Sequence, residues 1–219
     1  MITLRPYKSA DLNSLYEISL ATGYAGGDAT GLYQDPRMIG HIYSAPYALL
    51  SPATSFVAED ADGVGGYVVG VTNTRAFENQ LEREWWPKLR AVYADPNGTP
   101  ASGWNADQRR GYMIHHPFRT PDAVVGAYPA HLHMNLVPRM QGQGVGKMLL
   151  ERWLGEVSAP NAAGVHVGVS AHNPRGVRFW ESCGFERLER NPSANSAIWL
   201  GRYRGAPSLI KGATSAFGG

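Results

Sequence analysis

One cysteine, Cys183, is present in the 219 residues. A lone thiol forms no internal disulfide and cannot build a cysteine-rich zinc site. No stretch reaches the roughly 18 apolar residues of a membrane span. The opening residues, MITLRPYKSADL, lack the apolar run of a secretory signal. An excess of either charge is missing too: 20 Lys and Arg face 18 Asp and Glu, for a net +2. That balance excludes a strongly basic nucleic-acid arm as the organising feature. Charged residues make up only 17% against 43% hydrophobic, the wrong composition for a disordered chain. The expectation is a globular, cytoplasmic protein with no nucleic-acid or membrane partner, a monomer or homodimer.

What is abundant is glycine and proline, 26 and 15 residues, which signals many loops. The length is about one and a half times a typical domain of about 150 residues. Alternation predicts a first strand over 2–6. Ser9 is a suitable N-cap for a helix carrying Leu12, Leu15, Tyr16, Ile18 and Leu20. A glycine-rich loop follows over 23–40, with a short helix at about 37–43. Two strands at 55–60 and 66–72 flank a turn at 61–63 and read as a hairpin. A helix or helix pair spans 77–93, a loop 96–100, and 104–121 has no clear period, with His115 and His116 read as loop. Then come a strand at 130–137, a helix at 144–157, a strand at 164–170, a helix at 174–183 and a strand at 197–203. The order gives one α/β domain with a mixed sheet. It covers residues 1–205, with a flexible tail at 206–219 and an insertion at about 75–127. Such an insertion builds a binding face or lid, or pads the sheet edge.

The segment Gln141-Gly-Gln-Gly144-Val-Gly146-Lys147 lies between a strand and a helix. Glycines there let successive N–H groups converge on an anion at a helix N-terminus. A tight turn alone needs fewer of them. The triphosphate-binding pattern fails because Gln141 stands where its first glycine belongs and Met148 replaces Ser/Thr. The dinucleotide pattern fails as well, because the third glycine would fall on Lys147 or Leu149.

Gln141-x-x-Gly144-x-Gly146 and the later Asn173-Pro-Arg-Gly-Val-Arg-Phe-Trp180-Glu-Ser-Cys-Gly184-Phe185 together resemble the GNAT (Gcn5-related N-acetyltransferase) superfamily. The likeness is strong over about 130–204 and looser over 2–72. The lead-in from Tyr128 to Leu136, with the long segment before it, is similar to the acetyltransferase-like C-terminal domain of O-GlcNAcase and its free-standing bacterial relatives. The resemblance implies a GNAT fold: one twisted, mixed, mostly antiparallel sheet flanked by helices. It implies acetyl-CoA as cofactor and direct acetyl transfer to a primary amine. Leu136, Val137 and Arg139 would follow the pantetheine arm. Gln141, Gly142 and Gln143, with Gly144, Val145, Gly146 and Lys147, would surround the pyrophosphate. Lys147 and Arg139 would meet the ribose phosphate, or else be solvated surface cations. Asn173 would bond the pantetheine or cap its helix, or do both.

Trp180 departs from the family's tyrosine, whose hydroxyl can protonate the leaving sulfur; an indole N–H is no useful acid. A domain with Trp180 relies on another tyrosine or on water, or binds coenzyme without catalysis; otherwise Trp180 simply packs beside Phe179. No carboxylate lies in 130–137. His131, His133, Asn135 and Val137 share one face of that strand, so His133 is the candidate base, or an ordinary strand histidine. Trp85, Trp86 and Tyr128, with Tyr93 and Trp104, line an acceptor cleft or fill the core. Cys183 reads as a buried structural thiol. No metal site is expected. The two functional readings are an N-acetyltransferase and a non-catalytic acetyl-CoA-binding or interaction module.

Overall fold

The computed structural model describes residues 1–156, 164–188 and 197–203. The expected tail at 206–219, and the helix end at 157, lie outside them. Seven strands form one sheet: β1 (Thr3–Pro6), β2 (Ser55–Asp60), β3 (Gly63–Val71), β4 (Ala130–Leu136), β5 (Gly164–Ser170), β6 (Glu186–Arg187) and β7 (Ala197–Tyr203). Their order is β1-β2-β3-β4-β5-β7-β6. Every pairing is antiparallel except β4 with β5. The nine described helices are α1 (Leu12–Ala21), α2 (Gly40–Tyr43), α3 (Ala45–Leu50), α4 (Thr74–Glu84), α5 (Trp86–Arg90), α6 (Ala106–His115), α7 (Asp122–Ala127), α8 (Val145–Glu156) and α9 (Pro174–Ser182). The mixed, mostly antiparallel sheet and the hairpin of β2 and β3 are as the sequence predicts.

Strand alternation sends side chains to two cores. On one face Phe56, Val68, Leu132 and Val167 pack under Leu149, Leu150 and Trp153 of α8 and Val177 and Trp180 of α9. On the other, Val57, Tyr67, Val69 and Val71 pack against Leu15 and Ile18 of α1, Tyr47 of α3, Phe77 and Leu81 of α4 and Ile114 of α6. Trp153 is fully buried and its indole N–H donates to the Thr54 carbonyl at 3.1 Å.

Several local expectations are corrected. Ser9 does not cap α1. The chain enters through a 3-10 turn at Ser9–Asp11, and the Asp11 carboxylate accepts the Lys8 N–H at 2.8 Å while holding Arg5 at 2.7 and 2.9 Å. The short helix near 37–43 is α2, and α3 follows it with Pro46 in its first turn. The stretch read as irregular contains α6, which opens on a capping box of Asn105 and Gln108. His115 is the last residue of that helix, and His116 at its end pairs with Asp95 at 2.8 Å.

Truncation of Trp153 to Ala leaves a large cavity against the sheet and an orphaned Thr54 carbonyl. The expected cost is about 4 kcal/mol, read as a lower denaturant midpoint with an unchanged slope. A loss under 1 kcal/mol would show that this face collapses to fill the space.

Candidate functional site

The parallel pair sets the site. β4 and β5 are in register only at Ala130 with Val165 and His131 with His166. Beyond that point β4 stays paired with β3 through Leu136, and β5 with β7 through Ser170. Each strand is held on its outer edge, so the inner edges separate. A cavity of about 470 Å³ fills the wedge. Leu132 to Leu136 line one wall and Val167 to Ser170 the other. Thr22 and Gly26, after α1, close one side, while Asn173, Gly176, Phe179 and Trp180 enter from α9.

The glycine loop closes the wide end. A 3-10 turn at Pro138–Met140 brings the chain off β4, and the Gln141 side-chain amide ties back to the Leu136 carbonyl at 2.6 Å. Gly142 and Gly144 adopt φ of 76° and 79°, a region costly for residues with a Cβ. The first carbonyl bond into α8 runs from the Met148 N–H to Gly144 at 3.1 Å. The preceding N–H groups of Val145, Gly146 and Lys147 have no intrahelical partner, and all three residues line the cavity. A Cβ on Gly146 would stand 3.0 Å from the Phe179 ring, so this glycine lets α8 approach α9 closely. Lys147 and Arg175 also line the cavity. Among the described lining residues there is no Asp, Glu, Tyr or Cys. Helix-end amides and two cations give this end a positive potential.

Ten of the residues singled out in the sequence thus meet at one cavity: His133, Leu136, Gln141, Gly142, Gly144, Val145, Gly146, Lys147, Asn173 and Trp180. Asn173 also caps α9, accepting the Gly176 N–H at 2.8 Å. Eight others lie elsewhere. Arg139 turns away to pair with Asp60 at 3.1 Å and to donate to the Gly63 carbonyl at 3.2 Å. Gln143 folds back on the Arg139 carbonyl at 2.6 Å, and Val137 is half-buried against the core on the α1 side of the sheet. Trp85 and Trp86 are core residues, with the Trp85 indole donating to the His41 carbonyl at 2.8 Å. Tyr128 is buried over Gly164 and Gly201 beside Tyr203. Tyr93 bonds Asp35 and Trp104 bonds Thr99. Trp180 is 7% exposed and sits edge-on to Phe179 and Phe185. Cys183 is buried, and that burial pushes its thiol pKa up.

His133 belongs to a cluster that the sequence does not foreshadow. The Tyr47 hydroxyl from α3 lies 2.8 Å from His131 Nε2 and 3.1 Å from His133 Nε2. His131 Nδ1 lies 2.8 Å from Thr74 Oγ1. His166 stacks on His131 and places Nδ1 2.6 Å from the Tyr128 carbonyl. Burial, then the neighbouring His166, lowers the His133 pKa to about 4. Burial likewise takes His166 to about 4 and His131 well below the ordinary value, and drives the Tyr47 phenol upward. All four groups are therefore uncharged at neutral pH. Among the described residues, no three His, Cys, Asp or Glu side chains converge as metal ligands, and no helix is long and apolar enough to cross a membrane.

Residues 119–203 match the model of an acetyltransferase (GNAT) domain. The crystal structure of SsHAT superposes with a TM-score of 0.84 at 32% identity, over 92% of this chain and 98% of that one. Protein O-GlcNAcase of Rattus norvegicus is 24% identical over 203 residues, which are 91% of this chain and 22% of the rat protein. The chain thus spans about a fifth of the length of the curated relatives it matches. The fold is also that of yncA from Salmonella typhimurium, a putative acetyltransferase solved with acetyl-CoA, at a TM-score of 0.52 and 17% identity over 97% of this chain and 96% of that one.

The depressed histidines make the fold acid-labile. An unfolded histidine takes a proton near pH 6.5, whereas folded His166 takes one only near pH 4. Between those values the unfolded chain binds more protons, so stability falls as pH drops through that window. For His166, 2% exposed, the loss is on the order of 3 kcal/mol. Thermal midpoints from pH 7 to 4 should fall steeply in the native chain and less so in His166→Gln. Equal slopes would contradict the assignment.

Proposed function

This chain belongs to the GNAT acetyltransferase superfamily, and from that premise we propose that it moves an acetyl group from acetyl-coenzyme A directly to a primary amine. The observation that carries the reading is the wedge between β4 and β5, closed by a glycine loop at a helix N-terminus. Its unpaired amides and Lys147 fit a pyrophosphate. The apolar walls of Leu132, Leu136, Val167 and Val169 suit a pantetheine arm. When bound, the coenzyme supplies the acetyl group as a thioester.

On this reading Gly142, Gly144, Val145 and Gly146 give backbone donors, and Lys147 adds charge. Leu136 offers the β4 edge that β5 has vacated. Asn173 holds the arm opposite it while capping α9. Burial of the walls excludes water from the thioester. His133, lining the cavity from β4, accepts the proton of the attacking nitrogen. Arg139, Gln143 and Val137 support the loop from behind. The domain spans residues 1–205, with the helices at about 75–127 bracing the acceptor side and with Trp85, Trp86 and Tyr128 shaping it from the core. The acceptor is a small molecule or a protein amine, and the site works in the cytoplasm.

A second reading has its own support. Trp180 occupies the position of the family's usual tyrosine, and no tyrosine lines the described cavity. The same fold would then bind the coenzyme as an interaction module without turnover.

Two substitutions test these readings. Gly144→Asp meets no steric obstacle, so the fold should persist at a cost of about 1 kcal/mol. Its carboxylate would oppose the pyrophosphate and weaken coenzyme binding at least about 100-fold by calorimetry; equal affinity would remove the loop from the site. Trp180→Tyr should raise thiol release over an amine panel roughly tenfold if a missing acid limits turnover. Tight coenzyme binding with no turnover in either form would favour the interaction module.

A further inference from the structure

One bond beside the cavity sets the direction of three others. The Thr74 hydroxyl donates to the Pro129 carbonyl at 2.7 Å, since a carbonyl only accepts. With its single proton committed, Thr74 Oγ1 meets His131 Nδ1 at 2.8 Å as the acceptor, so Nδ1 carries the His131 proton. A neutral imidazole has one N–H, and burial keeps this ring neutral. His131 Nε2 therefore accepts, and the Tyr47 hydroxyl donates to it at 2.8 Å. The Tyr47 oxygen is left to accept from His133 Nε2 at 3.1 Å. His133 then bears its proton on Nε2 and its lone pair on Nδ1. The two lengths agree, since an O–H donor gives the shorter bond. The reverse polarity would set the Thr74 oxygen lone pairs against the Pro129 carbonyl at 2.7 Å.

We propose that Thr74, His131 and Tyr47 are positioning residues, a directed chain that holds His133 in its Nε2–H tautomer and leaves Nδ1 as the proton acceptor of the site. The role of Nδ1 rests on the acetyl-transfer reading; the tautomer does not. Packing supports the chain: Tyr47 is sandwiched by Phe77 at 4.6 Å and both histidines at 5.4 and 5.1 Å, and the Tyr43 ring meets His133 edge-on at 5.5 Å. The rings have little room to turn over and reverse the chain. With a neutral amine as nucleophile the balance closes. The N–C bond forms, the C–S bond breaks and its electron pair leaves on sulfur. One proton passes from the nitrogen to His133 Nδ1; the imidazolium loses it to solvent, and the thiolate takes one from solvent, as the products leave the site. The nitrogen becomes strongly acidic only as it bonds carbon, so a weakly basic imidazole can take that proton. The new imidazolium keeps Nε2–H on Tyr47, and the chain disperses the charge towards Pro129.

Nitrogen-15 NMR of the full chain at pH 7 reads the tautomer directly, with the His133 signals identified by their loss in His133→Gln. A protonated Nε2 and bare Nδ1 are expected, and a protonated Nδ1 overturns the proposal. Tyr47→Phe and Thr74→Val should each give mixed tautomers, while Thr74→Ser keeps the native pattern; a native pattern in both disrupting variants also overturns it. Turnover should fall roughly 10- to 100-fold in Tyr47→Phe, part of what a positioned base contributes, with coenzyme affinity unchanged. The expected tautomer pattern without turnover on any amine would fault the acetyl-transfer reading and leave the positioning chain standing.

Discussion

The structure depends on two strands that begin as partners and then part. A parallel pair that stayed in register would place Leu132 to Leu136 against Val167 to Ser170 and bury the backbone edges of both. Here the ladder stops after His131 and His166. The exposed edges must find partners elsewhere or remain available, and the second outcome is what makes a cavity. The separation is affordable because antiparallel neighbours grip each strand from outside along the stretch where the two part. The helices then follow from it: α8 and α9 close one face of the wedge, and the loop after α1 reaches across the other.

The narrow end of the wedge holds a hydrogen-bonded polar cluster. Three histidines, two from β4 and one from β5, sit at the last paired position or just past it. Burying three potential cations together would be prohibitive. The chain avoids that cost by keeping them neutral and giving most of their nitrogens fixed partners: a tyrosine hydroxyl, a threonine hydroxyl and a backbone carbonyl. A neutral, fully oriented polar cluster favours one arrangement over its competitors. His131 and His166 mark the last paired position of the two strands, and His133 lies just past it and lines the cavity.

Much of this was legible in the sequence, and the reasons differ by element. The β2–β3 hairpin, the strand before the glycine loop and α8 show strong local periodicity and turn chemistry. Gly142 and Gly144 could be recognised because a backbone at positive φ demands them. Asn173 could be read as a cap from its place before Pro174; it caps α9 and also lines the cavity. α6 was missed although Asn105 and Gln108 form a capping box, because few of its positions are buried and its apolar period is faint. The two-residue β6 has no local signal at all. Tyr47 stands 84 residues from His131, so no spacing rule links them; only the tertiary packing of α3 on the sheet brings the hydroxyl to both rings. Arg139 was open to two readings, a phosphate contact or a surface cation, and its pairing with Asp60 on the neighbouring hairpin is a tertiary contact that no local pattern announces.

Strand alternation imposes a last constraint on any chemistry here. His133 projects to the face covered by α1 through α6, whereas Trp180 arrives from α9 on the other face. His133 and the aromatic at the end of α9 therefore stand on opposite sides of the sheet. In an intact sheet the backbone layer would separate them. The wedge removes that layer locally, so both faces open onto one cavity, and His133 and Trp180 both line it. On the acetyl-transfer reading proposed above, an amine from the α1–α3 side and a thioester from the α8–α9 side would meet there without either crossing the sheet. The departure of β4 from β5 therefore does more than make room for a ligand. It brings onto one cavity side chains that strand alternation would otherwise keep on opposite faces of the sheet.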